Sequence, residues 1–238
     1  MTDRSTILRE MGLTPIWGLR GAAVQGTDMR SEPLQAAAPA PAPVEQPDPN
    51  REAAIALMSW QALVASIATC TACKLAETRR QTVPGSGDRQ PAWMVIGEAP
   101  DENDEKQGDP FLGKAGQLLD AMLAAVAKKR SHGVFLTHIV KCRPPEDRTP
   151  HIDEINACAP YLKRQITLAS PKLLLTLGEL SAQTILNRRE SLDALRSAGG
   201  EFVGIPVVVT YHPSHLLRSP LDKSKAWDDL VAARTLTA

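Results

Sequence analysis

This chain has no excess of either charge, no long apolar run and few cysteines, and each shortage removes a class of function. Its 238 residues hold 27 basic and 27 acidic side chains. A basic coat that binds nucleic acid everywhere is therefore excluded, and any such contact has to be a local patch. No apolar stretch approaches the roughly 20 residues that span a bilayer, which predicts a soluble chain without a membrane partner. The N-terminus MTDRSTILRE lacks an apolar signal region, which predicts a reducing, cytoplasmic setting where disulfides do not persist. The polar loop over residues 95–120 contains neither G-x-G-x-x-G nor G-x-x-x-x-G-K-[ST], so nucleotide triphosphate binding is disfavoured.

What is present is a pattern of four cysteines: Cys70-x2-Cys73 before that loop and Cys142-x15-Cys158 after it. Two intervening residues let both sulfurs of the first pair reach one metal, and polar Thr71 and Lys74 beside them do not resemble apolar packing. Four thiolates with none to spare predict one metal site tying distant segments together. Spacing alone leaves zinc and an iron–sulfur cubane open, because both accept four cysteines.

Composition also divides the chain. Residues 31–50 hold six prolines and five alanines with no periodic apolar face, the signature of a disordered linker. Before it, residues 1–30 carry a short apolar island (Ile7, Leu8, Met11, Leu13, Ile16, Trp17, Leu19), too small to fold alone but able to dock on a partner as a short helix. The first 50 residues hold four basic and six acidic side chains, so residues 51–238 are only slightly basic. From residue 51 a helical stretch to about 68 precedes apolar runs at 92–97, 134–140, 172–178 and 206–210. Helical patterns at 114–129, 152–169, 178–188 and 224–236 follow them. Strict alternation predicts an α/β fold, a parallel sheet covered on both faces. Its ligand would sit beyond the carboxyl ends of the strands.

The chemistry-bearing segments fall there. GEAP and GDPFLGKAGQLLD lie within 97–120, IVKCRPPEDRTP spans 139–150, and TYHPSHLLRSP spans 210–220. With the cysteines in register, these segments resemble the family 4, iron–sulfur uracil-DNA glycosylases over essentially all of residues 55–235. The resemblance implies a three-layer α/β/α sandwich around a four-stranded parallel sheet. It also implies a [4Fe–4S] cluster, structural in role, on Cys70, Cys73, Cys142 and Cys158. The substrate would be uracil in DNA, removed by a monomeric, monofunctional hydrolase that leaves an abasic site. A neutral His212 would donate to uracil O2 as the base departs with its charge. Glu98 and Asp104 would serve the attacking water, and Ala99, Phe111, His138 and Ser214 would line the base, with Phe111 as stacking platform. Leu216 and Leu217, on an exposed turn, would fill the vacated stack. Arg218, Lys114 and Arg143 would meet phosphates.

The chain departs from that family at several positions. His138 stands where asparagine usually reads the uracil edge, and an imidazole cannot make that bidentate contact. Asp104-Glu105 reverses the usual order, Asp101 replaces a common glycine, and His215 replaces a frequent tyrosine. These changes leave open a glycosylase for another deaminated base such as hypoxanthine, or a noncatalytic replisome-associated module. A zinc-stabilised α/β protein of unrelated function is the remaining alternative. Residues 1–30 separately resemble the opening of the psi subunit of the bacterial polymerase III clamp loader, in the register L-x2-M-G-L-T-x-x-W-x-L-R. That likeness implies docking on a clamp-loader component through Leu8, Leu13, Trp17 and Leu19.

Overall fold

The computed structural model describes residues 49–237. The expected docking peptide of residues 1–30 and nearly all of the 31–50 linker lie outside the described residues. Helix α1 (Pro49–Ala56) begins two residues before the expected domain boundary, and α2 (Trp60–Ala68) follows. The single helix expected over 51–68 is thus two, because Ser59 caps the second through an acceptor contact to the Ala62 amide at 3.3 Å. A short α3 (Leu75–Thr78) leads to strands β1 (Ser86–Gly87) and β2 (Trp93–Gly97). Next come α4 (Glu102–Gln107), α5 (Gly113–Ala125), β3 (Val134–His138) and α6 (Ile152–Ala169). The remainder is β4 (Leu173–Leu177), α7 (Glu179–Leu186), α8 (Leu192–Ala198), β5 (Gly200–Phe202), β6 (Ile205–Thr210), α9 (Pro213–Arg218) and α10 (Lys223–Thr235).

The strands form one sheet in the order β1-β3-β2-β4-β6-β5. The inner four are parallel, as expected; β1 and β5 add antiparallel edges that four apolar runs did not reveal. Both edges are very short and half-polar, so they lack the apolar signature of an inner strand. Along β2, side chains alternate between two cores. Met94 and Ile96 join Ile155, Ile166 and Val209 on the α6 side, whereas Trp93 and Val95 join Leu119, Leu123 and Leu230 on the α5 and α10 side. Helices on both faces leave the carboxyl ends of the inner strands as the place where loops can meet. There Gly97 of β2 pairs with His138 of β3, and the Gly178 amide after β4 donates to Thr210 O at the end of β6 at 2.9 Å.

Candidate active site

A cleft opens at these strand ends, walled by Glu98, Ala99, Asp101, Gly178, His212 and Arg218, among others. Glu98 follows β2 directly, and its Oε1 accepts the Leu180 amide at 3.3 Å, at the start of α7. Burial nevertheless pushes its carboxyl above the usual range. Gly178, at φ +95°, makes room: a Cβ there would stand 2.6 Å from Glu98 Oε1 and 3.5 Å from His212 Cβ. Glu98 and His212 therefore both pack against one glycine.

His212 caps α9. Its Nδ1 receives the Ser214 amide at 3.3 Å and lies 2.7 Å from Ser214 Oγ, so Nδ1 is the acceptor and the ring proton sits on Nε2. Burial lowers its pKa to about 4, which leaves a neutral donor at physiological pH. Ser214, expected against the base, lines the cleft and also contacts this histidine. The preceding Tyr211 is fixed in turn: its hydroxyl donates to Asp193 at 2.8 Å, Arg196 lies over its ring at 4.6 Å, and His215 stacks on it at 5.2 Å.

Deeper in, Asp104 corrects an expectation. It is buried, and both of its carboxylate oxygens are engaged by protein groups. Its Oδ1 accepts the Leu112 amide at 2.7 Å, while Oδ2 accepts the Phe111 amide at 3.1 Å and lies 3.2 Å from His138 Nε2. These donors hold its carboxyl below the usual range despite burial. Asp104 thereby clasps the loop before α5, in which Phe111 adopts φ +57°, to the end of β3. The Phe111 and His138 rings pack with centroids 4.4 Å apart. Both rings are buried, and the Phe111 ring also lies 6.2 Å, centroid to centroid, from that of His212.

The expected DNA contacts separate. Leu217 is exposed, but Leu216 is 1% exposed and belongs to the α5-side core. The HPSHLLR segment is a helix rather than an exposed turn, and a helix sends neighbouring residues to different faces. Arg218 lines the cleft and Lys114 is exposed beside it. Arg143 is engaged instead, with Nε 2.6 Å from Asp147 Oδ1 and Nη1 3.8 Å from Glu105 Oε2. Sequence reasoning passed over Arg148, which also reaches the cleft and holds buried Glu154 through two bonds of 2.9 and 2.6 Å. Its signal was the acidic residue two places inside a helix start, which needs a partner once buried.

The four cysteines line a second, small cavity between α2, the end of β3 and α6. Among the described residues, no three His, Cys, Asp or Glu side chains are grouped to hold a single metal ion; the sulfurs surround a space instead. Burial raises the Cys73 and Cys142 thiols and pushes Cys158 up to about 12. Three cations that the sequence did not single out surround them. Arg51 Nη2 lies 3.6 Å from Cys70 Sγ and Arg79 Nη1 lies 3.3 Å from Cys142 Sγ. Lys141 is wholly buried, its Nζ 2.6 Å from both Thr137 Oγ1 and His138 O. A wider apolar groove by α6 and β5 carries only one ion pair, Lys163 with Glu52 at 3.3 Å.

Comparison with known proteins agrees with this geometry. The sequence model of the Uracil DNA glycosylase superfamily matches residues 84–231. The chain is 38% identical over 181 residues to a type-4 uracil-DNA glycosylase of Pyrobaculum aerophilum, covering 73% of this chain and 92% of that protein. It is 39% identical over 170 residues to that of Sulfurisphaera tokodaii, covering 68% and 77%. With that of Thermotoga maritima it shares 36% over 152 residues, covering 63% and 79%. With this superfamily match over more than half of its length and these identities over most of each relative, the chain belongs to the type-4 uracil-DNA glycosylases of the uracil-DNA glycosylase superfamily.

Proposed function

We propose that this chain removes uracil from DNA by hydrolysing its N-glycosidic bond, leaving an abasic site, as an enzyme of DNA repair in the cytoplasm. The observation that carries this reading is His212, a neutral imidazole whose Ser214 contacts hold the proton on Nε2 at the cleft wall. An extruded uracil departs as an anion, and a donor already aimed at O2 stabilises that charge without reorganisation. The bond breaks with its electron pair going to uracil N1. Water adds to the sugar carbon left behind, and its proton passes to Glu98, whose raised carboxyl is the better base for it. Leu217 takes the wedge role and Arg218 a phosphate; Leu216 and Arg143 leave the contact set.

Four thiols around one cavity, with Arg51, Arg79 and Lys141 to offset thiolate charge, fit a [4Fe–4S] cluster held by Cys70, Cys73, Cys142 and Cys158. Such a cluster supplies a covalent staple between α2 and α6 rather than a step of the reaction. Residues 1–30 are proposed to dock on a clamp-loader component, and the glycosylase to act as a monomer. A pull-down of clamp-loader subunits by residues 1–30, lost on Trp17→Ala, tests the docking.

The central test is base release from uracil-containing DNA. Wild type should release uracil and His212→Ala should be nearly inert. His138→Asn, which restores the bidentate amide, should match or exceed wild type. No release by cluster-loaded wild type would refute the assignment.

A further inference from the structure

Among the described residues, seven that are not glycine adopt a positive φ, and six of them are exposed. The seventh is Phe111, at φ +57° and only 3% exposed. A bulky side chain in that conformation is strained, and it persists only where its surroundings over-determine it. Here they grip the loop through both its amides and its carbonyls. Asp104 accepts the Phe111 and Leu112 amides. The carbonyls belong to Arg130, from the connection between α5 and β3: Nη1 donates to Pro110 O at 2.7 Å and Nη2 to Phe111 O at 2.8 Å. Its Nε donates to Asp120 Oδ1 on α5 at 3.0 Å, so the guanidinium is itself fixed. Gly116 gives the second of these bonds its room, since a Cβ there would stand 1.7 Å from Phe111 O and 3.5 Å from Arg130 Nη2.

We propose that Arg130 is a positioning residue for base excision, whose fork clamps the Pro110 and Phe111 carbonyls while Asp104 holds the amides, and so keeps the Phe111 ring beside His212. The inference rests on reading the cleft as a uracil-excising site. Arg130 lies outside the cleft wall, so it acts only through the loop. The ring it places packs on His138 at 4.4 Å and stands 6.2 Å from His212, centroid to centroid. Without the fork, two carbonyls lose their donors and nothing on that side opposes a return to negative φ. The turn of the backbone then carries the ring away from both histidines, and the group that meets the departing base loses its support.

The test follows the ring directly. The chain holds three phenylalanines, so the full, cluster-loaded protein made with 4-fluorophenylalanine gives three fluorine signals, and Phe111→Leu identifies one of them. Arg130→Gln should shift or broaden the Phe111 signal and leave those of Phe135 and Phe202 in place. Arg130→Lys keeps the charge but brings one ammonium to two carbonyls, and should do the same. It carries the test if the glutamine variant does not fold. The kcat of uracil release, measured in parallel, should fall about 10- to 100-fold. Added to Phe111→Leu, either Arg130 substitution should cost no more than about threefold further, because both changes act on one ring. An unmoved Phe111 signal, equal movement of all three, or equal losses of release in both backgrounds overturns the inference. Failure of wild type to release uracil refutes the enzyme reading instead, and the fluorine signals do not depend on it.

Discussion

In the cleft, His212 and Asp101 find their partners within their own turns: Ser214 is two residues from His212, and Asn103 and Asp104 donate their amides to Asp101. Around the cysteines the partners come from afar. Arg79 meets Cys142 across 63 residues of chain, and Arg51 spans 106 to reach Ala157 O at 3.0 Å. His212 and Asp101 are thus set by local backbone geometry, although Glu98 reaches across the fold to the Leu180 amide. The cysteine cavity is organised only by tertiary contact. The Cys73, Cys142 and Cys158 thiols, raised by burial, become good ligands only when a metal displaces their protons. The two regions touch through Lys141, which lines the cavity and donates to the carbonyl of His138.

The sharpest way to separate them is His212→Ala. Uracil release should fall about 10²–10³-fold, while visible absorbance and iron content stay at wild-type levels. Loss of iron along with activity would show that the regions are not independent. The reverse substitution, Cys142→Ser, should bleach the protein and lower Tm by on the order of 10 °C, read by calorimetry beside an iron assay. An unchanged Tm would remove the staple from the account.

A pH series sharpens the contrast from the cleft side. Burial holds the folded pKa of His212 at about 4, below the ordinary value of 6.5, so the unfolded chain takes up its proton first. The stability this histidine contributes is fully present above pH 6.5 and is lost as pH falls toward 4, about 1–3 kcal/mol in all. Urea unfolding of wild type and His212→Ala across that window measures it. A slope shared equally by both proteins would assign the loss to other groups.

The smallest expected effect concerns the two leucines of α9. Leu217→Ala should weaken uracil release from duplex by only a few-fold and leave Tm within about 2 °C. Leu216→Ala should cost about 2–5 kcal/mol of stability through the cavity it leaves. Chemical denaturation of both variants checks the pair, and similar losses would contradict the opposite faces that the helix assigns to them.

Helix α6 was legible to the residue, Ile152–Ala169, because its apolar period is unbroken and Glu154 accepts the His151 amide at 2.8 Å to start it. The helix within HPSHLLR was not: its six residues are too few for a period to declare itself, so an expected turn is a helix and Leu216 is core. Asp104 was misread for a related reason. Sequence order places it in a polar loop, and only packing shows that both oxygens turn inward to three donors.

The residues by themselves determined the parallel sheet, the position of the ligand site beyond its strands, and the four sulfurs that would share one metal site. Periodicity, turn chemistry and spacing are local properties, and each is written along the chain. Tertiary structure alone decided that β1 and β5 extend the sheet, that Arg51, Arg79 and Lys141 surround the thiols, and that His212 and His138 are held through opposite ring nitrogens. Which nitrogen holds a proton depends on whether the partner facing it donates or accepts. For His212 that partner is a neighbour in sequence; for His138 it is a carboxylate 34 residues away that folding alone brings to the ring.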